Sequence, residues 1–81
     1  MVFLAITRAG VETFLASGKS AGSPWVGAGL LSEEERAAIW RSGVDLSEFN
    51  YTIERHQQDA IAGAVDTIRE HHPGQAVWVE Y

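Results

Sequence analysis

Two short groups of polar residues combine side chains that could bind or activate a small ligand. Thr7 and Arg8 bring a hydroxyl and a guanidinium together directly after an apolar run, a combination that can hold a carboxylate or a phosphate. Arg55 and His56 combine a fixed cation with the side chain that most readily exchanges a proton near neutral pH. If both groups follow strands of a parallel sheet, they lie at the edge where α/β folds bind ligands. We therefore predict an anion- or ligand-binding site built from these four residues.

Catalysis and metal binding receive less support from the residue types. No nucleophile and base occur at a recognised spacing, so we predict no catalytic residue. The chain has no cysteine, which excludes thiol chemistry, disulfides and cysteine-based zinc sites. His71 and His72 point about 100° apart on a helix, and His56 lies roughly 22 Å away along it, too far to share an ion with them. We expect no metal and no cofactor.

Gly27 and Gly29 lie between a predicted strand and a predicted helix, the position of a nucleotide-binding loop. The third glycine of G-x-G-x-x-G is missing because Ser32 occupies its place, and three glutamates follow where a pyrophosphate needs positive potential. The sequence therefore argues against a nucleotide here. Close packing of a helix on the sheet accounts for both glycines.

The periodicity of apolar residues predicts the order β-α-β-α-β-α-β. The first strand is an unbroken apolar run and is expected at the centre of a sheet, whereas the third alternates and is expected at an edge. Thr7 is a candidate N-cap for the first helix, and Ser32 with Glu35 forms the capping box of the second. The predicted strands cover residues 1–7, 25–30, 49–53 and 75–81. The predicted helices cover residues 8–18, then 33–42, ending at Gly43, then a segment that begins at Glu54 or Arg55 and ends before Pro73.

Strands that alternate with helices indicate parallel pairing through right-handed crossovers. We therefore predict a single domain over residues 1–81, a small α/β sandwich with a four-stranded, mostly parallel sheet. The alternative is an α+β plait in which the third or the fourth strand runs antiparallel at an edge.

Composition and charge narrow the class of partner. The chain has 81 residues, 46% of them hydrophobic, and a formal net charge of -5. Residues 32–81 contain four basic and ten acidic side chains, so we expect no binding of free nucleic acid. No run of residues is long and apolar enough to span a membrane, and the first six residues do not resemble a signal peptide. A cytoplasmic location is the expectation.

Three aromatic residues are candidates for a protein contact. The apolar positions of the second helix span about 260° of its circumference, more than one buried face requires. Trp40 on that helix is either a contact residue or a side chain that lies against the sheet or under the connection at residues 44–47. Phe49 and Tyr51 belong to the predicted edge strand, whose unpaired backbone groups could bind a second strand.

These features favour a small non-catalytic binding or regulatory module that acts through protein contacts, either with a partner protein or with itself as a homodimer. A second hypothesis is a small enzyme or a sensor of an anionic metabolite, with its site at the carboxyl ends of the strands. A third is an acidic inhibitor or nucleic-acid mimic that uses the glutamates at residues 33–35 and the acids within residues 45–59.

Overall fold

The computed structural model of the chain describes residues 2–17 and 23–80. Its elements follow the predicted alternation of strands and helices. They are β1 (Val2–Ala5), α1 (Arg8–Ser17), β2 (Trp25–Val26), α2 (Glu33–Arg41), β3 (Ser47–Glu48), α3 (Gln58–His71) and β4 (Val77–Glu80). The predicted ends of the first and last strands at Met1 and Tyr81, and the predicted end of the first helix at Gly18, lie outside the described residues. No helix in the described part of the chain is long and apolar enough to cross a membrane.

The four strands form one sheet in the order β3-β2-β1-β4, and every neighbouring pair is parallel. This confirms the predicted α/β class. The alternative plait is wrong because no strand of this sheet runs antiparallel. The apolar first strand lies inside the sheet, as predicted, between β2 and β4.

Both faces of the sheet are covered, and the core is therefore split into two clusters. Alternate residues of β1 point to opposite faces, so Leu4 joins one cluster and Ala5 joins the other. The cluster on one face packs against α3 through Ile61, Ala64 and Ile68. The cluster on the other face packs against Val11 of α1 and Ile39 of α2.

Side-chain caps fix the starts of the first two helices. The hydroxyl of Thr7 accepts a hydrogen bond from the backbone N–H of Gly10 at 3.0 Å. Ser32 and Glu35 form the predicted capping box, in which each side chain accepts from the backbone N–H of the other residue. Helix α2 ends where predicted, because Gly43 adopts a φ of 89° that other residues avoid.

The predicted start of α3 is three or four residues too early. Glu54 and Arg55 lie outside the helix, which begins at Gln58. The backbone N–H of Gln57 donates to the carbonyl of Glu54 at 3.0 Å, so these residues form a turn of their own before the helix begins. The regular helical pattern then begins with the hydrogen bond from the backbone N–H of Ile61 to the carbonyl of Gln57.

The predicted third strand over residues 49–53 is also wrong, because β3 consists only of Ser47–Glu48. Phe49 and Ile53 are both buried, with 7% and 1% of their surface exposed. The ring of Phe49 packs on Trp25 at 5.2 Å, and the carbonyl of Tyr51 accepts from Ala28 N–H just beyond β2. The alternating apolar residues thus anchor a loop over the end of β2 instead of forming a strand. β2 itself stops at Val26, four residues before its predicted end.

Candidate functional site

Arg8, at the start of α1, makes the most extensive polar contacts of the candidate ligand-binding residues. Its guanidinium donates to both carboxylate oxygens of Glu35, at 2.8 and 2.6 Å, and to the carbonyl of Leu30 at 2.9 Å. A longer contact of 3.4 Å reaches Glu12 one helical turn away. Arg8 therefore connects the β1–α1 junction to the start of α2.

This pairing shifts the protonation equilibria of both partners. The hydrogen bonds from Arg8, followed by that from the backbone N–H of Ser32, lower the pKa of Glu35 to about 2. In turn, the hydrogen bond to Glu35 raises the pKa of Arg8. Arg8 is thus matched by a carboxylate that stays charged, and it is not a free cation for an incoming anion.

The sequence contained a signal for this ion pair that residue-by-residue reasoning missed. Arg8 opens the helix after β1, and Glu35 stands in the first turn of the helix after β2. Because β1 and β2 are parallel neighbours, the helices that follow them start at the same edge of the sheet. A basic residue and an acidic residue at these two starts are therefore placed to pair.

Arg55 and His56 lie together in the exposed turn that precedes α3. An open depression of about 480 Å³ next to them is lined by residues 56–60. Gln57 precedes the first helical residue, and its side chain makes no capping hydrogen bond. Asp59 also lines the depression, and its carboxylate opposes an anion there. Within residues 2–17 and 23–80, no hydrogen bond or ion pair connects Arg55 or His56 with Arg8.

The carboxyl ends of β1 and β4 mark the point at which the strand order reverses, the usual ligand crevice of an open α/β sheet. Here the backbone at the start of α1 occupies the position of that crevice. The Glu80 carbonyl accepts from the N–H of Ile6 at 3.2 Å, and a Cβ atom built on Gly10 would stand only 2.7 Å from the same oxygen. The first turn of α1 therefore rests directly on the end of β4.

At the outer edge of β3, ionic contacts cover a very short strand. Glu48 accepts from Arg36 of α2 at 2.8 and 3.2 Å, and this contact raises the pKa of Arg36. The backbone N–H groups of Ser47 and Phe49 donate inward to β2. At this edge, only the backbone groups of Glu48 are therefore directed away from the sheet.

The three predicted interface residues have different surroundings. Trp40 is 55% exposed, and its indole N–H donates to the carbonyl of Leu46 at 3.5 Å, in the connection between α2 and β3. Tyr51 is 43% exposed and stacks on Phe49 with ring centres 5.2 Å apart. Phe49 is buried and belongs to the core cluster on the α3 face.

The outer edge of β4 is the surface that the sequence reasoning missed. Ala76 and Glu80 accept hydrogen bonds from β1 through their carbonyls, so the alternate residues Val77 and Val79 direct their N–H and C=O groups away from the sheet. In the described part of the chain, no strand pairs with this edge.

Trp78, the second of the four residues of β4, is 51% exposed. It lies beside Phe3 in the parallel register and hence on the face that carries α1 and α2. Its indole N–H donates to its neighbour on the same face, Glu80, at 2.8 Å. The signal in the sequence was the alternation over residues 76–79, where Ala76 and Trp78 alternate with two valines. This alternation places the valines on one face of the last strand and the tryptophan on the other.

Potential metal ligands do not cluster among residues 2–17 and 23–80, where no group of three His, Asp or Glu side chains could hold an ion.

Comparison with known proteins provides no family: the chain matches no protein-family model, no curated protein and no solved structure.

Proposed function

We propose that this protein is a non-catalytic binding module that associates with a protein by adding a partner strand to the outer edge of β4. The observation that carries this proposal is the conjunction, on one strand, of outward-directed backbone groups at Val77 and Val79 with a half-exposed indole at Trp78. Strand addition gains affinity from main-chain hydrogen bonds and specificity from alternate side chains. Both are present at this edge.

Apolar chemistry at β4 supports contact with a protein. Val77 and Val79 pack against the core cluster on the α3 face and fix the strand in place. Trp78 offers a large, rigid surface that loses little entropy on binding, which is why tryptophan is frequent among the residues that dominate interfaces. An edge strand with three apolar residues in succession and its only charge at one end is a typical site of association.

The charges at the carboxyl edge of the sheet are less suited to binding an anionic substrate. Arg8 is paired with Glu35, and Arg36 is paired with Glu48. An anion would have to displace a carboxylate from either guanidinium. Of the acids proposed for an acidic inhibitor, Glu35 and Glu48 are already paired with arginines. The cytoplasmic location expected from the sequence stays part of this proposal.

The substitution Val79→Pro tests strand addition directly. Proline removes the outward N–H that a partner strand needs, while the hydrogen bonds to β1 come from the alternate residues and are kept. Val79→Ala is the matched control, because it loses the valine side chain and keeps the N–H. We expect that wild type and Val79→Ala bind either themselves, in sedimentation experiments, or members of a displayed library of random linear peptides, and that Val79→Pro does neither. Equal binding by Val79→Pro would overturn the proposal, as would a wild-type chain that neither self-associates nor selects a peptide.

A second candidate function, a sensor of a small anion, is favoured only by the depression beside His56. Thermal unfolding with phosphate or acetate as the probe tests it, since a ligand at 100 times its dissociation constant stabilises the folded state by about 2.7 kcal/mol. This stabilisation must disappear in His56→Ala and persist in His71→Ala, because His71 lies at the opposite end of α3. No stabilisation of the wild type would dismiss this function.

A further inference from the structure

We infer that the strand added at β4 is the β4 strand of a second copy of this chain, antiparallel across a two-fold axis centred on Trp78. This inference rests on the proposed function and names its partner. Two sheets joined in this way would form one continuous sheet of eight strands. The interface is isologous, because both copies contribute the same residues.

The positions of the backbone groups are self-complementary about Trp78. Val77 and Val79 direct their donors and acceptors outward on either side of it. In an antiparallel pair centred on residue 78, Val77 lies opposite Val79 of the partner subunit, and Val79 lies opposite the partner's Val77. Each pair can exchange two hydrogen bonds, so the two-fold arrangement satisfies every outward backbone group of these residues.

The side chains are complementary in the same register. Trp78 lies opposite Trp78 of the partner subunit in a non-hydrogen-bonded pair, where Cα atoms are about 4.5 Å apart and side chains approach most closely. Two half-exposed indoles then cover each other, and aromatic pairs of this kind attract beyond the area that they bury. On the opposite face the valines meet valines.

The apolar contact between the two indoles favours this register over its neighbour. With the axis at residue 78, Glu80 lies opposite Ala76 of the partner subunit, and no carboxylate faces another or an indole. With the axis moved to residue 79, the Trp78 indole of each copy would face the Glu80 carboxylate of the other. The three successive apolar residues of β4, followed by a single acid at its end, therefore match their own rotated copy. The contact is small, so we expect a concentration-dependent dimer.

Sedimentation equilibrium of matched tryptophan variants tests which surface associates. Trp78→Ala removes the central pair, whereas Trp40→Ala removes a tryptophan of similar exposure from α2. Over about 10 μM to 1 mM, the range for a small transient interface, we expect Trp78→Ala to weaken dimerisation by about tenfold or more. Trp40→Ala should leave it unchanged.

Disulfide trapping tests the register. The chain has no cysteine, so Ala76→Cys and Glu80→Cys each introduce a single thiol. These positions face each other between copies in a non-hydrogen-bonded pair, and their Cα separation of about 4.5 Å suits a disulfide. Mild oxidation of a mixture should give the mixed dimer, identified by its mass. Either variant alone places its thiols about 13 Å apart along the strands and should not crosslink.

A mixed disulfide together with the loss of dimer in Trp78→Ala supports the inference. A chain that is monomeric at the highest concentration overturns it, as does a dimer that is insensitive to Trp78→Ala or gives no mixed disulfide. The proposed function fails separately, when Val79→Pro leaves all binding intact or when no peptide and no second copy binds.

Discussion

The two edges of the sheet are stabilised by different interactions. At β3 the edge has two residues, and Glu48 is held by the guanidinium of Arg36. At β4 it has four residues, three of them apolar, and its carboxyl end is fixed by the close approach of Gly10 to the Glu80 carbonyl. Charge and brevity make β3 a poor template for another strand, whereas length and apolar surface make β4 a good one.

The difference extends into the helices. Both bidentate pairs found in the described chain involve α2, because Arg8 reaches across to Glu35 and Arg36 pairs with Glu48. The β4 side is stabilised instead by close packing, as between Gly10 and the Glu80 carbonyl. Changes in volume should therefore be most harmful at β4, and changes in pH should act mainly at α2.

The largest effect should come from adding one methyl group at Gly10. In Gly10→Ala the new Cβ would stand 2.7 Å from a backbone oxygen, so α1 or the end of β4 must shift. We expect a loss of about 1–3 kcal/mol in the free energy of unfolding, measured with urea. Gly63→Ala in α3 is the control, since nothing lies within 4 Å of its Cβ. That variant should gain about 0.5–1 kcal/mol from helix propensity alone. Equal changes in the two variants would show that the contact at β4 is not tight.

A smaller effect is expected from the cap of α2. Ser32→Ala removes the side-chain acceptor for the N–H of Glu35, which should reduce the free energy of unfolding by about 1 kcal/mol. Thr52→Ala, in an exposed loop, should change it by less than about 0.5 kcal/mol. Urea titrations of the two variants provide the measurement. A cap variant as stable as Thr52→Ala would mean that Arg8 alone fixes the start of α2.

Acid should weaken the α2 side through Glu35. Its pKa of about 2 in the folded chain lies below the ordinary value of 4.5, so the charged carboxylate stabilises the fold above pH 4.5. This stabilisation is lost as the pH falls from 4.5 towards 2. Urea midpoints measured across that range should fall less steeply in Glu35→Gln than in the wild type. The control Glu34→Gln, an exposed residue in the same helical turn, should keep the wild-type slope. Parallel slopes for Glu35→Gln and the wild type would contradict the role of the Arg8 pair.

Much of this fold follows from local patterns in the sequence. The capping box at Ser32, the stop at Gly43 and the central position of the apolar first strand depend on interactions within a few residues or on burial of a whole segment. Features of this kind can be predicted from the sequence because no distant contact competes with the local interactions that produce them. Alternation of apolar residues was less reliable at residues 49–53. A loop that inserts Phe49 and Ile53 into the core produces the same pattern as an edge strand.

The candidate site was harder to predict because it depends on which elements become neighbours. The pairing of Arg8 with Glu35 spans 27 positions and requires β1 and β2 to be adjacent. Trp78 becomes a half-exposed edge residue only because β4 crosses the sheet to pair with β1 on the outside. Strand order follows from the global packing of helices on two faces, which periodicity does not encode.

The smallest effect should follow from uncovering the β3 edge. Glu48→Thr removes the carboxylate held by Arg36 and leaves a residue that favours strands. β3 still offers only one outward-facing residue, whereas β4 offers two that flank a tryptophan, so little new self-association is expected. Sedimentation of Glu48→Thr combined with Val79→Pro isolates this edge, because the proline blocks β4. Monomers in the double variant would show that length, and not charge alone, protects β3. Dimers as strong as those of the wild type would instead make Glu48 the feature that distinguishes the two edges.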